Sequence, residues 1–480
     1  VKSRSLLQGF VWNAIDLLGR QGVDFITTLV LARLLNPQHF GLIGMMTVFF
    51  ALAQSLMDSG FKQALIQTNE PTKIQYDSVF WLNVVLGFFL YGIIYLSAPA
   101  IGSFYGQFEL VELIRWTALI VPLNSFQLVQ SARMSRELNF KLQTQITIPA
   151  ILISGIIAII LAYSGFGVWS LTAKMIVLAF LSSAFYWLLG KYQPAFQFSW
   201  VSIKPLFKFG YKLTLAGLLN TSFNNLYFAI IGKLFSAEML GFYTQAKKMV
   251  NIPAQNSTSI LQKVTFPYLS RIKDQPEVLM NRFRIIMHLA VFMAAPVMIV
   301  LSVWSEEIVR FLLGDKWAFS AKILNIVAFT GLLYPIHAIN LNILKVMGRS
   351  DLYLRLEVYK KGMILVAIII GMQFGIFGLL IAQLCTSTAS LLFNTYYTSK
   401  FLRYSVINQL KDIFVYILLA LVTSGIYYII QIQIGISNYW WIGIIVVLIT
   451  YLLLNFFFKF LAFSVLWKSY KAKRIIIDEQ

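Results

Sequence analysis

The stretch LARLLNPQHFGLIGMM (31–46) has a counterpart 200 residues later, IGKLFSAEMLGFYTQA (231–246). Arg33 matches Lys233, Leu34 matches Leu234 and Gly41 matches Gly241. A second pair lies further along. VPLNSFQLVQSARMSREL (121–138) aligns with YPIHAINLNILKVMGRSDL (334–352) at an offset of 213, bringing Pro122 to Pro335, Met134 to Met347 and Arg136 to Arg349. Two anchors in the same order imply two homologous halves.

The doubled unit is a helical membrane bundle. Of 480 residues 59% are hydrophobic and only 12% charged, with a mean hydropathy of +0.74, whereas a soluble chain carries roughly 25% charged residues. Runs such as FWLNVVLGFFLYGIIYLSAPAI (80–101) and IPAILISGIIAIILAYSGF (148–166) are long enough to cross about 30 Å of hydrocarbon as helices. The short alternating strands of an outer-membrane barrel are missing. The pattern predicts an all-α membrane protein with fourteen transmembrane helices at 8–35, 40–66, 78–101, 110–133, 145–165, 167–190, 207–235, 239–268, 284–304, 319–345, 353–374, 376–400, 411–433 and 438–461. Six spans separate the two copies, so both enter from the same side and the repeats are parallel. The expected organisation is a six-helix lobe over 1–200, a pseudo-symmetric lobe over 201–402, and two extra helices with a basic tail over 403–480. The pseudo-two-fold axis should run along the membrane normal, with rocking of the halves as the natural motion. The first, second, seventh, eighth and tenth spans are amphipathic and should face a partner or a water-filled cavity.

The basic residues set the orientation. With both termini in the cytoplasm, Lys62, Lys73, Arg133, Arg136 and Lys191 fall at cytoplasmic ends, as do Lys2 and the tail residues Lys468, Lys471, Lys473 and Arg474; only Arg310 and Lys316 fall clearly outside. The net charge of +20 is then an orientation signal plus attraction to anionic membrane lipids. Its scatter over many loops argues against nucleic acid. VKSRSLLQGF is not read as a signal peptide, because the apolar stretch after it is too long and no small-residue cleavage site follows. The single Cys385 builds no disulfide or metal cluster. No Asp-x-Asp motif and no phosphate-binding G-x-x-x-x-G-K loop occurs, and His39, His288 and His337 are far apart. The expectation is a protein that is not an enzyme and uses no cofactor or metal.

The polar residues inside the spans are the candidate site. In NAIDLLGRQGVDF (13–25), Asp16, Arg20 and Asp24 recur every fourth residue and share one helix face. At mid-membrane each charge costs roughly 2.5–3.5 kcal/mol, and the trio keeps one surplus negative charge. Adding 200 gives Ala216, Asn220 and Asn224, so the matching face of span seven is polar too. Spans one and seven are therefore expected to line a pathway. Cationic candidates to hold an anionic headgroup are Arg20, Arg33, Arg115, Lys174, Lys233, Lys247, Lys248 and Lys322, arginine doing so with two parallel hydrogen bonds. Asn220, Asn224, Asn225, Gln127, Gln130 and Tyr227 suit sugar hydroxyls and ring faces. Each has a plainer reading: Arg33 and Lys233 snorkel to the interface, Arg115 pairs with Glu112, only one of Lys247 and Lys248 points inward, and Asp16–Arg20–Asp24 is an internal latch. A carboxylate in a half-dry cavity can also exchange a proton or hold Na⁺, which makes Asp16 and Asp24 candidate ion carriers. Pro122, Pro253, Pro296 and Pro335 lie inside spans, where they bend a helix or are simply tolerated.

Several stretches resemble a known family. LARLLNPQHFGLIGM, the FWLN of 80–83, SARMSRELNFK (131–141), GFGVWSL (165–171), LGFYTQAKKMVNIPAQ (240–255) and VTFPYLSR (264–271) are similar to the polysaccharide transporters of the multidrug/oligosaccharidyl-lipid/polysaccharide (MOP) superfamily, flippases of O-antigen, colanic acid and teichuronic acid type. The resemblance implies two six-helix lobes in a V plus two C-terminal helices. It also implies translocation of an undecaprenyl-diphosphate-linked glycan repeat unit across the bacterial inner membrane, by a monomer, with H⁺ or Na⁺ as coupling ion and the last two helices as a groove for the prenyl tail. The alternatives are a cation-coupled multidrug antiporter of the same superfamily, a membrane glycosyltransferase or polymerase, and a lipid-binding scaffold.

Overall fold

A computed structural model describes residues 3–464 apart from Ser59, Asn69 and 435–438. Lys2 and the basic tail residues Lys468, Lys471, Lys473 and Arg474 lie outside the described residues. The described chain is helical throughout, and it divides into two compact units, 1–244 and 245–480.

The first unit contains α1 (Ser3–Leu34), α2 (Pro37–Met57), α3 (Phe61–Gln67), α4 (Lys73–Tyr105), α5 (Glu109–Thr117), α6 (Ile120–Arg136), α7 (Phe140–Tyr163), α8 (Val168–Leu189), α9 (Trp200–Leu234) and the first turns of α10 (Ala237–Arg271). Local chemistry sets the ends. The Thr72 side chain and Gln75 form a reciprocal capping box at the start of α4, and Gly106 in the left-handed region closes it. The Asn139 side chain accepts the Leu142 N–H to start α7. α1 and α9 stop alike, a two-residue break at 35–36 and at 235–236 preceding α2 and α10, so the 200-residue offset holds for the backbone as well as for the side chains. The expected second span, 40–66, is broken instead: α2 ends at Met57 and α3 begins after Gly60, whose φ of 66° lies where glycine alone is unstrained.

Within this unit α1 lies along α7, α7 along α8, α4 against α6, α6 against α8, and α9 against α2, α3 and α4. Lipid offers no hydrophobic drive between helices, so close packing must hold them. A Cβ added at Gly155 of α7 would sit 2.7 Å from Thr27 Oγ1 on α1, which shows how near these two helices run. Between α4, α6 and α8 lies an aromatic core in which Phe80 meets Trp81, Trp187 and Phe126 at centroid distances of 5.2, 5.7 and 6.3 Å.

The second unit contains the rest of α10, then α11 (Pro276–Val303), α12 (Ser305–Leu313), α13 (Ala318–Val346), α14 (Ser350–Gly371), α15 (Gly375–Leu402), α16 (Val406–Ile434) and α17 (Trp440–Phe457). Here α13 packs on α11 and α15, and α14 on α15. That repeats the pairing of α6 with α4 and α8, and of α7 with α8, in the first unit. α16 is anchored to α11 through Asp412, which takes Arg284 Nε at 2.6 Å, His288 Nε2 at 3.1 Å and the Tyr404 hydroxyl. The His288 Nδ1 in turn meets the Tyr416 hydroxyl at 2.9 Å. Helices run through Pro253, Pro296 and Pro335 without a break, and Pro122 falls in the first turn of α6, where it is tolerated.

Fourteen of the seventeen α-helices among the described residues have 17 residues or more. Nine stretches, one of them the joined pair α14–α15 at 351–402, are long and apolar enough to cross a membrane by length and composition alone. α1, α6, α9 and α10 fall outside those nine, and α1, α9 and α10 are among the helices whose sequences read as amphipathic. This is a multi-pass membrane protein.

Candidate functional site

The charged face of α1 is answered inside the first unit. Asp16, buried, binds Arg20 Nη2 at 2.6 Å through one carboxylate oxygen and accepts the Thr147 hydroxyl of α7 at 2.6 Å through the other. Asp24 binds Lys174 Nζ of α8 at 2.7 Å. The surplus negative charge of the trio is thus balanced by a cation from span six. Asp16 and Arg20 form a latch within α1, and α1 is fastened to α7 and α8 by polar pairs as well as by close packing. Thr147→Val is expected to cost about 1 kcal/mol, the usual worth of a buried hydrogen bond, read as a lower melting midpoint of the purified protein.

Arg20 is left half-used. A guanidinium has five N–H groups. Nε donates to the Asp16 carbonyl at 3.3 Å and one Nη2 hydrogen to its carboxylate, so three remain. The side chain is 42% exposed and lines a recess of about 420 Å³ bounded by α1, α2, α3, α6, α7 and α8. Lys62 and Asp58 share that lining with a ladder of amides: Gln127 Nε2 donates to Asn124 Oδ1 at 2.7 Å, and Asn124 Nδ2 donates to Gln54 Oε1 at 3.1 Å. Gln54 and Asp58 also border a second recess, about 490 Å³, whose other wall is α9 with Thr221, Asn224 and Asn225. The residue at 20 and the residue at 224 therefore line adjoining polar spaces. Two cations and one anion, Arg20, Lys62 and Asp58, carry the formal charge of the first recess.

The remaining candidates are placed elsewhere. Asn220 is exposed on α9. Arg33 and Lys233 occupy the last turns of α1 and α9, where a cation favours the helix C-terminus; the Lys233 ammonium donates to the Phe104 carbonyl and lies 4.7 Å from that ring. Arg115 of α5 stacks 4.9 Å over Tyr95 rather than pairing with Glu112. Lys248 lies on α10 in the second unit, and Lys322 lies 5.9 Å from the Phe319 ring. Gln130 is buried and spent on the Tyr192 carbonyl at 2.6 Å. The residues that sequence reasoning missed, Gln54, Asp58 and Lys62, recur every fourth residue in FALAQSLMDSGFKQ (50–63). That is the spacing that exposed the trio on α1, overlooked here because Lys62 reads as the charged end of a span.

A family model described as polysaccharide biosynthesis protein matches residues 30–322, well over half of the chain. The chain belongs to this family. The matched region carries Arg33, Asp58, Lys62, Asn124, Lys174 and Asn224, so both recesses fall largely within it. Among curated relatives, the teichuronic acid biosynthesis protein TuaB of Bacillus subtilis is 27% identical over 352 residues, 73% of each chain. The lipopolysaccharide biosynthesis protein WzxC of Escherichia coli is 27% identical over 373 residues, 76% of this chain and 75% of that one. Of solved structures, the lipid II flippase MurJ in an inward closed conformation aligns with a TM-score of 0.70 at 13% identity, covering 94% of this chain and 99% of that one. An inward-facing multidrug transporter of the MOP superfamily gives 0.60 at 15% identity, covering 82% and 100%. The fold is that of the MOP superfamily, and the family is one of membrane transport proteins of polysaccharide biosynthesis, not of enzymes.

Proposed function

We propose that this chain carries a polyprenyl-diphosphate-linked oligosaccharide repeat unit across the bacterial cytoplasmic membrane by alternating access, for the assembly of a surface polysaccharide. The observation that carries the reading is the pairing of a half-free arginine with an amide-rich wall in one membrane-embedded recess. Arg20 and Lys62 offer N–H donors for phosphate oxygens, while Gln54, Asn124 and Gln127 offer neutral donors and acceptors suited to sugar hydroxyls. The family's role in polysaccharide biosynthesis and the names of TuaB and WzxC support a glycan precursor as cargo.

In this reading the chain has fourteen spans, two six-helix lobes at 1–200 and 201–402, and a C-terminal pair at 403–480 that cradles the prenyl tail. The 200-residue offset in sequence and in helix ends supports the lobes, as does the repeated packing order. Both termini are cytoplasmic, the protein works as a monomer, and the coupling ion, H⁺ or Na⁺, enters at Asp24 when Lys174 lets go. Removing the protein from its host should make a polyprenyl-diphosphate-linked glycan accumulate, as read by mass spectrometry of extracted lipids, and restoring the chain should clear it. Unchanged lipid-linked glycans together with normal surface polysaccharide in the deleted host would contradict the assignment.

A further inference from the structure

The first unit has a third recess, about 540 Å³, lined by residues that neither the charged trio nor the amide wall involves. Lys73 at the start of α4, Arg133 and Arg136 at the end of α6, and Lys191 just after α8 converge on it, with Glu137 as the one acidic lining residue. Glu137 is a weak counterweight, meeting Arg133 Nη2 at 3.4 Å. Among the described residues Lys73 and Lys191 make no ion pair, and both are exposed. The pocket carries three positive charges net of its acid.

Its floor is built, not incidental. The Arg133 guanidinium lies 5.8 Å from the Tyr76 ring and 5.4 Å from the Tyr192 ring, and Arg136 Nη1 donates to the Tyr76 hydroxyl at 3.4 Å. Tyr192 is in turn fixed from beneath. Its hydroxyl donates to the fully buried Asp77 at 2.5 Å, and its carbonyl accepts Gln130 Nε2 at 2.6 Å. Burial first and the Asp77 carboxylate second push the Tyr192 hydroxyl well above its ordinary pKa, so it stays a donor and the floor keeps its shape at any physiological pH. Trp81 Nε1 pins the same loop by donating to the Ala195 carbonyl at 2.9 Å. Orphaned cations spread over an open surface would be a solvated face. One arginine held over two tyrosine rings and a second bonded to a tyrosine hydroxyl, beside two lysines without an ion pair among the described residues, form a preorganised anion seat.

We propose that this recess binds the phosphate of a lipid headgroup at the membrane surface where α4 begins and α6 and α8 end. Three loops meet there, and lysine and arginine at that level are drawn to anionic headgroups. The shared chemistry is a phosphate on a lipid, and its source is either the diphosphate of a prenyl-linked glycan awaiting entry or the phosphodiester of an anionic phospholipid. The site stands apart from the Arg20 recess, and its occupancy does not require that anything be transported.

The test uses full-length protein in nanodiscs of phosphatidylcholine, titrated with undecaprenyl diphosphate in one arm and phosphatidylglycerol in the other. Binding is followed by native mass spectrometry and by the fluorescence of the tryptophans. The double variant Arg133→Gln/Arg136→Gln is expected to weaken binding at least tenfold, and Arg310→Gln, on α12, to leave it unchanged, with melting midpoints showing both variants folded. Loss confined to the diphosphate arm assigns the seat to cargo, and equal loss in both arms assigns it to phospholipid. Wild-type affinity of the folded double variant in both arms, or no preference of the native protein for either anionic lipid over phosphatidylcholine, overturns the proposal. Export can fail or succeed in the host without altering this readout, so the two readings are tested separately.

Discussion

Lys174→Met is expected to lower the melting midpoint of the detergent-purified protein and, on the proposed function, to leave a host that depends on it defective in clearing the lipid-linked glycan. The ammonium of Lys174 sits 2.7 Å from Asp24, joining α8 to α1. Removing one partner of a buried pair costs 3–5 kcal/mol because the other charge is stranded. Here the Lys174 side chain is 11% exposed and that of Asp24 39%, and Asp24 keeps a further contact when Lys174 is gone, so part of the penalty is relieved and about 2 kcal/mol is the expected loss. Asp24→Asn alone should cost less, since the stranded lysine can turn its long stem toward a polar boundary. The pair Asp24→Asn/Lys174→Met should then be more stable than the sum of the two single losses predicts, by 1 kcal/mol or more, as interacting partners require. Strict additivity would show that the contact contributes nothing, and the α1–α8 link would then rest on packing alone.

Much of this arrangement was legible from spacing and charge arithmetic. Asp16, Arg20 and Asp24 sit four residues apart, so a shared face followed from helix geometry. The leftover negative charge demanded a cation, and Lys174 was already conspicuous as a lysine in an apolar run. Its pairing with Asp24 was not legible, because it depends on α8 being brought beside α1 by α7, a contact 150 residues apart in sequence. The recess lining failed for a different reason. Gln54, Asp58 and Lys62 follow the same four-residue rhythm, but Lys62 reads first as a cytoplasmic end marker. Arg115 shows the limit of local reasoning. An i, i+3 acid is available at Glu112, yet an aromatic ring from α4 takes the guanidinium instead, because tertiary neighbours compete with helical ones on equal terms.

Gly41→Ala and Gly241→Ala should each be severely destabilising, and to a similar degree. The two glycines are offset by 200 residues, and so are the backbone atoms they face: a Cβ on Gly41 would lie 1.5 Å from the Ala237 carbonyl oxygen, and one on Gly241 would lie 1.9 Å from the Pro37 carbonyl oxygen. The first turn of α2 and the first turn of α10 thus seat each other reciprocally within the first unit, each glycine receiving the opening residue of the other helix. A flexible side chain could swing away from a new methyl group, but a carbonyl in a helical turn cannot. The helix starts must separate, and overpacking of this kind against backbone costs on the order of 3 kcal/mol. The sign is diagnostic, because glycine to alanine inside a helix with room around it stabilises by up to about 1 kcal/mol. Gly92, in the middle of α4 with no atom within 4 Å of its would-be Cβ, supplies that control. Melting curves of the three alanine variants should therefore split, Gly92→Ala at or above the parent and the other two well below it. A Gly41→Ala protein that melts with Gly92→Ala would mean the two helix starts are not in contact in the membrane, and the reciprocal seat that marks the internal repeat in three dimensions would have to be given up.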